Sequence, residues 1–176
     1  IRLVKLGDIA EVKQGLATGD NDAYLFQNPE ARGTYRSIED YRRLLCTEAD
    51  IERIISDDEL RMDVIENGIS KDDKRSPRYF GGRYILPYDK GGESNSDDGW
   101  MPNYWVPTDY FIDWSEWAVR RLKTLTLRDR NIELGKPGGD DRLCSRFQNA
   151  ESYFLPGLTF SPTGQYAPTF RFHLPS

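Results

Sequence analysis

Asp113-Trp114-Ser115-Glu116-Trp117-Ala118-Val119-Arg120-Arg121-Leu122-Lys123-Thr124-Leu125-Thr126 is the stretch on which the fold class turns. Trp114, Trp117, Ala118, Leu122 and Leu125 recur at the three-to-four spacing that gathers side chains on one side of an α-helix. Asp113, with Glu116 three residues on, has the pattern of a capping box, so Asp113 is expected to cap a helix from Trp114 to about Thr126. The other side of that helix carries basic residues. Around it the pattern is strand-like: Arg83-Tyr84-Ile85-Leu86-Pro87-Tyr88 and Tyr104-Trp105-Val106 precede it, and two runs, Ser152 to Phe160 and Thr169 to Leu174, follow it.

Further upstream the helical period returns. Ser37 with Asp40 and Thr47 with Asp50 are Ser/Thr-x-x-acid starts. Ile38, Tyr41, Leu44 and Leu45 share one helical face, as do Ile51, Ile54 and Ile55, and a third segment from Asp58 to Glu66 stops at Asn67-Gly68, a C-terminal signal. The N-terminal part reads as a helical turn around Asp8, a strand ending at Gly15, a turn at Thr18-Gly19-Asp20-Asn21-Asp22 and a strand at Ala23-Tyr24-Leu25-Phe26. Helices in blocks among short strands predict an α+β domain: a twisted, mainly antiparallel or mixed sheet flanked by helices from about 37 to 67 and 113 to 126.

The 176 residues (20.3 kDa) suit one domain, 1–176, and no internal repeat is present. With its 15 glycines the chain is about 46–47% apolar, within the globular range, and at this length a compact domain buries roughly 70% of its unfolded surface, enough for a core without disulfide or metal. Two cysteines, Cys46 and Cys144, and one histidine, His173, are too few for a zinc site of Cys/His type. These features predict a reduced, intracellular, cytoplasmic protein with no membrane partner: no run approaches a membrane span, and no signal peptide is visible. The start at Ile1 and the alternating Phe170-Arg171-Phe172-His173 near the end suggest a fragment of a longer polypeptide.

The net charge of −5 argues against a general polyanion binder. Its distribution is uneven, however. Between Arg120 and Arg146 eight basic residues face four acidic ones, a local net of +4, while the acid excess lies mainly between Asp50 and Asp98.

Enzymatic motifs are scarce. No Gly-x-Ser-x-Gly elbow accompanies His173, and no phosphate-binding loop occurs. Asp8, Glu11 and Lys13 supply the residue types of a metal-dependent nuclease, although the acid lies only three residues before the Glu-x-Lys triplet. What remains is a binding surface. Aromatics are 12% of the chain and many adjoin glycine, proline and polar residues, a composition that can present stacking faces and hydrogen-bonding groups to base edges.

Three stretches, in order, add a family resemblance. Val4-Lys5-Leu6-Gly7-Asp8-Ile9-Ala10-Glu11-Val12-Lys13-Gln14-Gly15-Leu16-Ala17-Thr18-Gly19-Asp20-Asn21-Asp22-Ala23-Tyr24-Leu25-Phe26 resembles the opening of the target-recognition domain of adenine-specific DNA methyltransferases, of the type IIG restriction–modification and phage-exclusion kinds. Tyr84-Ile85-Leu86-Pro87-Tyr88-Asp89-Lys90-Gly91-Gly92 with Phe111-Ile112-Asp113-Trp114 is similar to their middle motif, and Tyr153-Phe154-Leu155-Pro156-Gly157-Leu158-Thr159-Phe160-Ser161 to the later one.

The resemblance implies a target-recognition fold that reads a short sequence of double-stranded DNA while a methyltransferase domain of the same polypeptide, using S-adenosylmethionine, methylates an extruded adenine. This chain lacks an Asp/Asn-Pro-Pro-Tyr/Phe motif and a convincing Phe-x-Gly-x-Gly loop, so it is expected to hold no cofactor and no catalytic residue itself. The expected DNA contacts are Gln14, Thr18 and Asn21 in a first reading loop, Tyr88 and Lys90 in a second, and Arg146, Tyr166 and Arg171 from the C-terminal part. Two rival readings are a protein-interaction module that packs its aromatic surface on a partner subunit, and a nuclease using Asp8, Glu11 and Lys13.

Overall fold

The computed structural model describes residues 5, 8, 11, 13–31, 33–88, 109–160 and 170–173. The expected strand at Tyr104-Trp105-Val106 lies outside them. The architecture is α+β, as the sequence pattern predicts: helices surround a four-stranded mixed sheet, and a separate two-stranded hairpin follows late in the chain.

Sheet order is β2 (Arg36–Ser37), β1 (Leu25–Gln27), β4 (Tyr110–Asp113), β3 (Ile85–Pro87). β1 runs parallel to β2 and antiparallel to β4, and β3 is antiparallel to β4. The register aligns Leu25, Ile112 and Leu86 in one row and Phe26 with Phe111 in the next. Because strand side chains alternate between faces, the first row enters the main core and the second a smaller cluster. Both faces are therefore covered. This explains the near-continuous apolar character of β1, β3 and β4.

On the main face pack α2 (Glu48–Ser56), α3 (Asp58–Asn67) and α4 (Glu116–Thr124), contributing Ile54, Leu60, Val64, Ile65, Ala118, Val119 and Leu122. Each fully buried Leu or Ile contributes roughly 1.5–3 kcal/mol. On the other face Ile38, Tyr41, Leu44 and Leu45 cover Phe26 and Ile85. That segment, Ile38–Leu44, is a 3-10 helix, and Ser37 caps it by accepting from the Glu39 amide, not through the expected partnership with Asp40.

Helix starts follow side-chain chemistry. Thr47 and Asp50 form the full reciprocal capping box on α2, and Asp57 accepts from the Leu60 amide at the start of α3. At α4 the expected cap moves by two residues: Asp113 closes β4 and accepts from the Ser115 amide (2.8 Å), while Ser115 is the N-cap. Glu116 completes no box and instead accepts from Arg78. Trp117, expected on the buried side, is 52% exposed, and Val119 takes its place in the core. Thr126 caps a further helix, α5 (Leu127–Glu133), which the sequence reading did not anticipate.

Two other expectations change. The segment Asn21–Tyr24 is a short helix, α1, so the strand predicted from Ala23 begins only at Leu25. Residues 13–16 are not in a strand; the β-type pairing described for this part of the chain is one isolated antiparallel bridge, Ala17 with Arg146. Within Ser152 to Phe160 the strand β5 is Gly157–Phe160, preceded by the 3-10 turn Ala150–Ser152, and β5 pairs antiparallel with β6 (Phe170–His173). No described helix is long and apolar enough to cross a membrane.

Gly68 ends α3 at φ +76°, and a Cβ there would come within 2.7 Å of the Ser115 carbonyl group. Gly68→Ala combines left-handed strain of about 1–3 kcal/mol with a backbone clash. It is expected to lower Tm by at least several degrees, and by more than Gly135→Ala, whose φ of +64° is equally left-handed but whose surroundings are open.

Asp50 also accepts two bonds from Arg83 (Nε to Oδ2, 2.7 Å; Nη2 to Oδ1, 2.9 Å), tying α2 to the strand region. Burial alone would raise its carboxyl, but the Arg83 guanidinium and the Thr47 amide and hydroxyl hold it below the ordinary 3.8. A depressed folded-state pKa contributes stability that is present above the unfolded value and lost as pH falls through the folded one. Asp50→Asn is expected to be less stable at neutral pH and, in denaturant titrations from pH 4 to about pH 2, to lose stability less steeply than the parent chain.

Candidate nucleic-acid interface

The candidate site is built where residues 13–21 meet residues 143–151. The second segment is held in place from both sides. The Cys144 amide donates to the Leu125 carbonyl (2.9 Å), Thr126 bridges Leu143, and the Ser145 hydroxyl donates to the Leu122 carbonyl, fastening it to the C-terminal end of α4. Against its other edge, Ala17 and Arg146 exchange both backbone bonds (3.1 and 2.7 Å). Gly19, at φ +68°, is required by this approach: a Cβ there would lie 1.9 Å from the Cys144 carbonyl oxygen.

Side chains extend the zipper beyond the bridge. The Gln148 amide donates to Gln14 Oε1 (3.0 Å), the Asn149 amide donates to the Gln14 carbonyl (2.8 Å), and Lys13 pairs with Glu151 (2.9 Å) and Glu11 (3.1 Å). The hydrogen bonds that the Lys13 ammonium donates to those two carboxylates raise it above its ordinary pKa. Asn149 holds a left-handed φ of 52°, which turns the chain at this junction.

Behind the junction lies an aromatic wall. Trp114 stacks on Phe147 (6.0 Å between centroids) and meets Tyr153 and Phe154 edge-on. Arg61, 8% exposed, donates from Nη1 to the Glu151 carbonyl (3.0 Å) while its Nη2 bonds Asp58, so α3 grips the turn that follows the zipper.

The expected DNA contacts fall unevenly on this geometry. Gln14 and Arg146 are exposed on the junction. The Tyr88 hydroxyl donates to the Leu16 carbonyl (3.0 Å), bringing the end of the second expected loop against the first. Thr18 is 2% exposed and donates to Asn21 Oδ1, while the Asn21 amide donates to the Tyr35 hydroxyl (3.1 Å). Both side chains are thus engaged in closing the turn into α1. Arg171 lies on β6 opposite Thr159. Lys90 and Tyr166 lie outside the described residues.

Sequence reasoning missed Gln148 and Asn149. The available signal was a pair of adjacent amide residues after the exposed Arg146, but nothing local ties them to Gln14, 134 residues away.

The basic cluster is largely neutralised. Arg121 pairs with Glu133, Lys123 with Glu66, Arg128 with Asp141, Arg130 with Asp20 and Arg142 with Asp140. Of the eight basic residues between 120 and 146, Arg120, Lys136 and Arg146 have no carboxylate partner among the described residues.

For the nuclease residues, Asp8 accepts from the Lys5 amide in its own turn and Glu11 pairs with Lys13. No described group of His, Cys, Asp and Glu side chains is arranged to hold a metal ion. Cys46 is buried, and burial pushes its thiol up to about 12. No protein-family model, curated protein or solved structure matches the chain in comparison.

Arg61→Met keeps an unbranched side chain against the core but leaves the Glu151 carbonyl without its donor. The expected cost is about 1–3 kcal/mol, read as a lower midpoint in urea, with faster amide hydrogen exchange concentrated in residues 147–154.

Proposed function

We propose that this chain is a sequence-specific double-stranded DNA recognition module of an N6-adenine DNA methyltransferase or restriction–modification enzyme. Methyl transfer, with S-adenosylmethionine, belongs to a separate domain of the same polypeptide. The observation that carries the reading is the junction of residues 13–21 with 143–151. Two segments far apart in sequence are fixed side by side by backbone, amide and ionic bonds, and they leave Gln14 and Arg146 exposed together.

Such a surface suits a duplex because its two tasks need different groups. A guanidinium free of carboxylates engages phosphate or guanine, whereas carboxamides discriminate among base edges. The net charge of −5 and the neutralised cluster predict that this chain alone binds duplex weakly but measurably at low salt, with the remainder of the enzyme adding to the electrostatic grip. The burial of Thr18 and the hydrogen bonds of Asn21 suit shaping the turn, and Gln14, Arg146, Tyr88 and Lys90 remain as the proposed reading residues.

A second reading, a protein-interaction module, is favoured by Trp117. This large aromatic is half exposed on α4, with the Arg121 guanidinium 5.6 Å from its ring centre.

Fluorescence anisotropy with a random-sequence duplex over a salt series separates the two. Binding is expected to weaken linearly in log–log form, with Arg146→Ala lowering the slope by about 1. Absence of salt-dependent duplex binding overturns the DNA reading, and a salt-insensitive protein association lost on Trp117→Ala favours the second.

A further inference from the structure

We infer that Gln14 and Gln148 form one coupled reading element, and that the base pair it recognises is A·T through the major-groove edge of adenine. This rests on the proposed DNA reading and goes beyond it by naming a residue outside the expected contacts and the base it selects.

The argument starts from hydrogen-bond inventory. A carboxamide has an acceptor oxygen and a two-hydrogen donor nitrogen. When the Gln148 amide donates to Gln14 Oε1 at 3.0 Å, the Gln14 nitrogen and the Gln148 oxygen are left over. Exchanging the donor and acceptor roles of the two residues leaves the same pair, one donor and one acceptor. The element therefore offers complementary groups in either orientation.

Adenine presents an acceptor at N7 and a donor at N6 in the major groove. Carboxamides match that pair, while the N7 and O6 acceptors of guanine call for Arg or Lys. The site supplies amides for the base edge at Gln14 and Gln148, and a guanidinium for phosphate at Arg146.

Preorganisation strengthens the assignment. Free glutamine side chains lose considerable rotamer freedom on binding. Here Gln14 is held at its backbone carbonyl by Asn149 (2.8 Å), and Gln148 lies between the bridged Arg146 and the left-handed Asn149. The Gln148 carbonyl also accepts from the Tyr153 hydroxyl (3.0 Å), so the residue carrying the second amide is fixed at its backbone as well. Lys13, next to Gln14, is occupied by Glu151 and Glu11, so the neighbouring cation does not compete for the base.

The test is selection of bound sequences from a random duplex pool, followed by affinity measurements on single-site changes. The 176-residue chain is expected to enrich a short motif with at least one fixed A·T pair, whose replacement by G·C weakens binding about 5- to 150-fold. Gln148→Leu and Gln14→Leu are each expected to randomise that position and keep the rest of the motif. Arg146→Ala lowers affinity across all sequences. Gln148→Glu, which keeps the side-chain shape and removes its donor, guards against misfolding in the leucine variants and is expected to lose the A·T preference too, with circular dichroism unchanged. A motif that survives intact in the Gln148 and Gln14 variants overturns this inference while leaving DNA reading in place. A parent chain that binds no duplex overturns the reading itself and the inference with it.

Discussion

Trp114 is the joint through which the rest of the molecule is connected. Its backbone amide donates to the Tyr84 carbonyl (2.9 Å) and its own carbonyl accepts from Ile69 (2.7 Å), so the end of β4 is tied to the approach to β3 and to the exit of α3. Its indole Nε1 donates to the Val64 carbonyl (3.0 Å) inside α3. A buried tryptophan combines a large apolar area with one obligatory donor, and here the donor fixes which way the ring can lie. The ring then becomes the platform for Phe147, Tyr153 and Phe154, the residues that seat the C-terminal half of the candidate interface. Sheet, helices and interface thus share one side chain.

Charge is used mainly inside the molecule. Arg61, Arg83 and Arg121 each make several hydrogen bonds to partners distant in sequence or on another element, and the planar guanidinium suits that geometry better than an ammonium. Arg83 anchors α2 through a residue that also caps the helix, and Arg121 joins α4 to Glu133 of α5. A tally of basic residues along the chain therefore overstates the positive charge offered to an external ligand. The small set without carboxylate partners among the described residues, Arg146 above all, is what gives the proposed interface its positive charge.

The zipper at residues 13–21 and 143–151 has a second consequence. Polar side chains that bond one another across a junction are ordered before any ligand arrives, which lowers the entropic cost of recognition. They are also partly consumed by the scaffold. Thr18 and Asn21 illustrate the cost, and Gln14 with Gln148 the benefit, since a coupled amide pair keeps one donor and one acceptor to offer.

The helices α2 and α3, the capping box at Thr47 and Asp50, the stop at Gly68 and the apolar runs of β1 and β3 were legible in the sequence, because capping and period depend on neighbours within a few residues. Local pattern was ambiguous at Asp113 and Ser115, two residues apart and both able to cap, and at Trp117, whose spacing fits the buried face of α4 although the residues of that helix in the core are Ala118, Val119 and Leu122. What the tertiary structure alone decided is the make-up of the candidate junction: that Gln14 meets Gln148, that Thr18 is buried, and that five of the eight cations between 120 and 146 have acidic partners. Those outcomes depend on which distant segments the packed core brings within hydrogen-bonding distance, a few ångströms that no spacing along the chain encodes.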